Sequence, residues 1–208
     1  MRNVKLSLGV LMLLLFSTQA RAQETPSVFS VGPMVGFGHA GLTNVSGVDA
    51  IFKPSYAAGL TATYSKMPHW GFGVDVFYSL EGGAFESSNT ELDVTLHYVR
   101  VPLKVGYYFR DVNENFRPKI TVGPSFGFLV DSKTRVETPS GSVSTGDVNS
   151  VYESWDVGVN AAIGFNLKLA DNIWLNTDLG YYYGFIDVSG SDNNNMNLGL
   201  KVGVAFGL

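Results

Sequence analysis

LHYVRVPLKVGYYF, residues 96–109, separates into two rows when read two residues at a time. Val99, Val101, Leu103, Val105, Tyr107 and Phe109 fall on one parity; Tyr98, Arg100, Pro102, Lys104, Gly106 and Tyr108 fall on the other. A period of two is that of a β-strand, whose successive side chains leave on opposite faces. The fold then turns on where Arg100 and Lys104 point. If they face outward, the strand belongs to a soluble sandwich. If they face inward, the apolar row meets lipid and the protein sits in a membrane.

Comparable alternation recurs over residues 29–39, 56–64, 70–81, 119–130, 154–169, 173–185 and 196–208. With the opening stretch this makes eight strands, an even number as in single-chain bacterial outer-membrane barrels. Pro33, Pro102 and Pro124 lie inside these stretches. Proline cannot donate to a ladder, so these positions are expected at rims, bulges or weakened ladder sites. The connections alternate in length. Polar segments 40–55, 82–93, 131–151 and 187–195 are long, whereas 65–69, 110–118 and 170–172 are short. Long loops on one side and short turns on the other imply an up-and-down barrel with both termini periplasmic. The longest segment contains TRVETPSGSVST, residues 134–145, which alternates around Pro139-Ser140-Gly141 and predicts a hairpin continuing the strands above the bilayer.

Nine charges lie within the strands: Asp75, Glu81, Arg100, Lys104, Lys119, Asp156, Lys168, Asp178 and Lys201, all on the non-apolar parity. Alternation alone also fits a soluble barrel, and the company these charges keep decides the matter. Their face is dominated by Gly, Ser, Ala and Asn, whereas a water-facing strand favours Thr and long polar residues. Small residues suit the crowded interior of an eight-stranded barrel, just wide enough for side chains to fill. The opposite face carries Tyr56, Tyr64, Trp70, Tyr78, Tyr107, Phe109, Trp155, Tyr183 and Phe206 near strand ends, as aromatic girdles require. A closed lipid-facing barrel also satisfies its backbone without an edge. The charges therefore read as a paired lumen network that plugs the barrel, because unpaired they would be costly. Phe77, Tyr98, Tyr108, Trp174 and Tyr182 share that face and are expected to fill the core.

Composition agrees. Charged residues make up 15% of the 208, against roughly 25% in soluble domains. Glycine is abundant at 24, and there is no cysteine, so neither disulfide nor thiolate metal site can form. Arg2 and Lys5, the apolar run 6–16 and Ala20-Arg21-Ala22 form the three parts of a secretory signal with cleavage after Ala22. The run is too short for the ~20 residues a membrane span needs. Residues 1–22 are thus expected to be removed, leaving 23–208 as one barrel domain. Loss of Arg2, Lys5 and Arg21 leaves 11 basic residues against 18 acidic, a net charge of −7 that argues against nucleic acid as a partner. A monomer surrounded by outer-membrane lipid is expected.

Catalysis finds little support. His39, His69 and His97 are followed two residues on by Gly41, Gly71 and Val99, not by the serine that a lipid-modifying site could use, although His39 and His97 could approach an outer rim near Asp49 and Asp93. A lipid A-modifying enzyme is the rival that remains. The run Asp192-Asn193-Asn194-Asn195 reads as a solvated turn before a Ca²⁺ site. No cofactor and no metal are expected.

HYVRVPLKVGYYF (residues 97–109) followed by PKITVGPSFGFL (118–129) resembles the PorT-like outer-membrane β-barrel family, and DVGVNAAIGFNL (156–167) and NIWLNTDLGYYYGFIDV (172–188) are similar to its last third. The resemblance covers most of residues 28–208. It implies an eight-stranded outer-membrane barrel whose founding relative assists a protein-secretion system, most members having no assigned activity. Lys201, Gly203, Phe206 and Leu208 also resemble the C-terminal signal read by the outer-membrane assembly machinery, with Leu208 where an aromatic is usual. The role expected first is a non-catalytic envelope structural or secretion-accessory component, with secretion-system or envelope proteins as partners. Surface binding through the long loops is the second, and a passive pore, which the charged lumen argues against, the third.

Overall fold

The computed structural model describes residues 29–43, 49–87, 90–147, 152–190 and 192–208. The expected signal segment, residues 1–22, lies outside them. All regular structure among the described residues is β: β1 (Phe29–Leu42), β2 (Asp49–Ile51), β3 (Lys53–Tyr64), β4 (Trp70–Ser87), β5 (Thr90–Tyr108), β6 (Phe116–Thr138), β7 (Gly141–Asp147), β8 (Trp155–Ala170), β9 (Ile173–Gly184) and β10 (Asn195–Gly207). Eight of these, all but β2 and β7, pair antiparallel with their sequence neighbours, and β1–β10 pairing closes the barrel. It is an up-and-down eight-stranded barrel.

The parity of the opening strand is settled by exposure. Leu103, Val105 and Phe109 are exposed, whereas Arg100, Lys104, Tyr98 and Tyr108 are buried. The outward rows of the other strands are equally apolar, including Val35, Leu60, Phe72, Val122, Ile163 and Leu200. Tyr56 and Tyr64 on β3 mark the two edges of this belt, roughly 27 Å of strand apart at about 3.4 Å per residue. Allowing for strand tilt, that is near the ~25 Å apolar band of outer-membrane barrels.

The three prolines sit in mid-strand, at local gaps in the ladders. Pairing of β1 with β10 skips from Val31–Phe206 to Met34–Gly203 around Pro33. The β4–β5 ladder skips from Val74–Leu103 to Phe77–Arg100 beside Pro102, and the β5–β6 ladder lapses from Pro102–Ser125 to Val105–Val122 beside Pro124. Continuous registers flank each gap, so a missing N–H costs local bonds without shifting a strand.

β4 and β5 run furthest beyond what the sequence suggests. Residues 82–93, expected as a loop, belong largely to β4 and β5, which stay paired up to Ser87–Thr90. The expected hairpin in 134–145 is present as β6–β7, with Thr138 opposite Gly141. Spanning requires about 9–11 tilted residues. β4, β5 and β6 have 18, 19 and 23, so they stand well beyond the bilayer on one side of the mouth. With β2 on one flank and β7 on the other, they form a five-stranded extracellular wall.

Candidate functional site

Two parts of the molecule carry unusual chemistry: the lumen and the wall above it. In the lumen, Arg100 on β5 is the centre. Its Nε and Nη2 donate to the two carboxylate oxygens of Glu81 at 2.5 Å each, and Nη2 also donates to Asp156 at 2.8 Å. The guanidinium lies between two aromatic rings, 4.7 Å from the Tyr98 centroid and 4.0 Å from that of Tyr182. Ser79 donates to Glu81 at 2.7 Å, and Asn195 donates to Asp156 at 2.9 Å and to Tyr98 at 3.2 Å. Carboxylates within hydrogen-bonding reach and aromatic ring faces are the partners that a planar guanidinium binds best.

Below this cluster lie Lys104 with Asp75 at 2.7 Å and Lys119 with Asp178 at 2.8 Å, Lys119 also donating to Asn176. Lys201 stands opposite Asp178 in the β9–β10 register and places its ammonium 4.3 Å from the Phe77 ring. Glycine makes room for these groups. A Cβ on Gly127 would come within 2.8 Å of Arg100 Nη1. A lumen cavity of about 40 Å³, lined by Glu81, Ser125, Asn160, Tyr182 and Lys201 among others, is far below the roughly 300 Å³ at which small-molecule pockets begin. Phe77, Tyr98, Tyr108 and Tyr182 are buried, as core-filling residues should be, while Trp174 is half-buried.

Lys168 does not join this network. It pairs with Asp171 of the short β8–β9 turn at 3.0 Å, and the partner carboxylate is 99% exposed. Its parity is that of the lumen, but it lies at the end of β8, where the chain meets water. Arg117, expected in a turn, is instead a buried residue of β6. It closes the same end through Ser65, the carbonyl oxygens of Pro68 and Arg110, and the ring of Tyr108 at 4.1 Å. Lys53, within the expected loop 40–55, is likewise a buried strand residue bonded to Asp93 and Thr95. Both would have been found by extending the alternation a few residues past its apolar limits.

At the C-terminus, Gly203 faces inward, where a Cβ would meet the Pro33 carbonyl at 2.8 Å. Phe206 pairs opposite Val31 and Ile173, and Leu208, exposed beyond β10, donates its N–H to Phe29 O.

The mouth on the long-strand side is covered. Val188 is fully buried against Leu42 and Phe85, and Val94, Leu96 and Tyr98 form a second apolar cluster with Leu129 and Tyr152. The Asp187 carboxylate holds the covering loop by accepting from the backbone N–H groups of Ser189, Asp192 and Asn193 at 2.9–3.1 Å. Asp192 and Asn193 thus serve a turn.

Above the bilayer, the chemistry of the two sheet faces inverts. Phe85, Val94 and Leu96 point inward, while Asp93, Thr95 and His97 lie on the outward parity. In β6 a bulge opposite His97–Tyr98 performs the same inversion, leaving Val130 57% exposed and sending Asp131, Lys133, Arg135 and Glu137 outward. Lys133 beside Asp131, at 3.2 Å, holds its carboxyl below the usual carboxylate range. One row of this outward face is entirely acidic: Asp49 opposes Glu86, Glu86 opposes Glu91, and Glu91 opposes Glu137.

The histidines are not brought together. His39 stacks on Phe52 and shares a hydrogen bond with the Lys53 backbone, His69 contacts Tyr108 O and Asp111, and His97 bonds the Tyr78 hydroxyl on the outer face. Asp93 is engaged by Lys53 rather than by His97. Among the described residues, no group of three or more His, Asp or Glu could hold a metal ion.

A family model described as outer membrane protein beta-barrel domain matches residues 21–190. Among solved structures, Neisserial surface protein A, from Neisseria, aligns at 16% identity over 89% of this chain and 100% of its own, with a TM-score of 0.54. The outer membrane protein OprG from Pseudomonas aeruginosa aligns at 14% identity over 86% of this chain and 94% of its own, with a TM-score of 0.52. At such identities the likeness shows the fold. No curated protein matches in sequence.

Proposed function

Because the chain belongs to the outer membrane protein beta-barrel domain family and is an integral eight-stranded barrel of the outer membrane, we propose that it acts as a surface-recognition barrel, with a sealed lumen as anchor and the extracellular wall as recognition element. The observation that carries this reading is the excess length of β4, β5 and β6 on one side, above a lumen closed by ion pairs. A pore has no use for a buried bidentate Arg100–Glu81 pair across its path. An envelope anchor needs no five-stranded sheet outside the cell.

A secretion-accessory role in the PorT-like manner is the second reading, favoured by the resemblance of residues 97–109 and 118–129. It would need periplasmic contact surface, and the turns at that end span residues 65–69, 109–115 and 171–172. In either role, outer-membrane lipid surrounds the apolar belt, and the assembly machinery receives the chain through Lys201, Gly203, Phe206 and Leu208.

The test is retention of vesicles carrying the chain on immobilised basic and acidic proteins, comparing the native chain with one whose residues 134–147 are replaced by a short Asn-Gly-containing turn. Retention of the native chain and its loss in the shortened one, with heat-dependent gel mobility preserved, is expected. Equal retention of both would overturn the surface reading.

A further inference from the structure

Lys119 of β6 is buried in the lumen, and its partners lie two strands away. Across the β6–β8 ladder it faces Gly164, and Gly164 in turn stands opposite Asp178 of β9. A Cβ at Gly164 would lie 2.5 Å from Asp178 Oδ1, so the missing side chain is the gap through which Lys119 crosses β8. Its ammonium ends between two side chains of β9. Nζ lies 2.8 Å from Asp178 Oδ1 and donates to Asn176 Oδ1 at 2.5 Å. Asn176 and Asp178 are two residues apart on one strand, so they share its lumen face, and both are buried.

An ion pair needs only the carboxylate. The carboxamide adds a carbon that an amine can attack. A carbonyl oxygen is about 1.2 Å from its carbon, which places Lys119 Nζ within about 3.7 Å of Asn176 Cγ. Reacting atoms held at about 3–3.5 Å are in near-attack geometry. The terminal torsion of asparagine is broad, so a small rotation turns the face of the carboxamide toward the amine. Burial favours the same chemistry, because a proton passing from ammonium to carboxylate leaves two neutral groups in place of two desolvated charges. Among the described residues no other lysine is bonded to a carboxamide. Lys53 meets Asp93 and Thr95, Lys104 meets Asp75, Lys133 meets Asp131, and Lys168 meets Asp171.

We propose that Lys119 and Asn176 join in an isopeptide bond, formed by the folded chain itself with Asp178 as the proton relay. Asp178 takes one proton from the Lys119 ammonium, and the freed lone pair attacks Asn176 Cγ. A second proton moves from Nζ to Nδ2, the Cγ–Nδ2 bond breaks, and ammonia leaves with the proton held by Asp178, as ammonium. Nothing is oxidised or reduced, and Asp178 ends as the carboxylate it was at the start. Lys201, opposite it in the β9–β10 register, is then the facing cation. The bond ties β6 to β9 across β8 and is independent of what the wall recognises.

The experiment refolds the full chain from unfolded inclusion bodies into zwitterionic micelles and follows its intact mass and its proteolytic fragments. The unfolded chain should carry its sequence mass. On folding it should lose the mass of one ammonia and yield one linked pair of fragments carrying Lys119 and Asn176. Lys119→Met should give no linked pair and unfold at lower urea. After boiling it should also migrate differently from the native chain, which the bond keeps looped. Asp178→Asn preserves shape and should slow the mass loss by about a hundredfold or more. Only chains that keep heat-dependent gel mobility are compared, so misfolding does not imitate a lost bond. Unlinked Lys119 and Asn176 fragments from the folded native chain would overturn the proposal and leave a hydrogen bond in its place. Loss of ammonia without linked fragments, or linkage at the native rate in Asp178→Asn, would do the same.

Discussion

The lumen and the outward face of the wall both carry rows of charge, and they dispose of it in opposite ways. Inside, Arg100 meets two acids at hydrogen-bonding distance with side-chain exposures of 4% or less, and Lys104 and Lys119 each have a carboxylate. Outside, four carboxylates face one another across neighbouring strands, and the nearby pairs Lys133–Asp131 and Arg135–Glu137 are largely exposed. Buried charges must be paired or the barrel does not close. Water tolerates unpaired ones, so the wall can carry charge that its own stability does not require. The first set closes the barrel; the second belongs to the recognition surface that we propose.

Mutation distinguishes the two sets of charges. Arg100→Ala should show the largest effect, about 3–5 kcal/mol, because it strands Glu81 and Asp156 without a cation. Urea unfolding followed by tryptophan fluorescence measures it. Lys104→Ala should cost about 3 kcal/mol by the same logic, whereas Lys104→Met combined with Asp75→Leu should fall within about 1 kcal/mol of the native chain. If the double variant is as damaged as the single, the pair contributes more than mutual neutralisation. Gly127→Ala should cost about 1–3 kcal/mol, since its methyl would press on the Arg100 guanidinium at 2.8 Å. At the exposed extreme, Lys168→Ala should change stability by no more than about 0.5 kcal/mol. Glu86→Gln with Glu91→Gln should be neutral or stabilising by up to about 0.5 kcal/mol, since it relieves opposed like charges.

Within the bilayer the fold was legible because one physical rule governs each strand there: apolar side chains meet lipid, small and charged ones meet the lumen. Residues 99–109 obey it except at Pro102 and Tyr108, which are buried on the lumen side. The rule inverts where the lipid stops. Phe85, Val94 and Leu96 turn inward to cover the mouth, so alternation counted by outward hydrophobicity ends near Glu81 and Leu96, and residues 82–93 read as loop, whereas the 134–145 hairpin of the same wall is legible from its own alternation. Gly82-Gly83 deepened the impression by interrupting the apolar row. Arg117 and Lys53 lie just beyond the expected strand limits at Lys119 and Tyr56, inside the segments read as connections. The pairing partners of the lumen charges were not legible at all. Which acid meets Arg100 depends on the register of β4 and β5 and on the sweep of β8 around the barrel, neither of which periodicity encodes.

A lumen shut by its ion pairs leaves the wall to act. Planar-bilayer recording of the full chain tests this directly. No stepwise conductance is expected from the native protein, and intermittent openings are expected from Arg100→Ala. A stable open channel in the native protein, unchanged in Arg100→Ala, would contradict it.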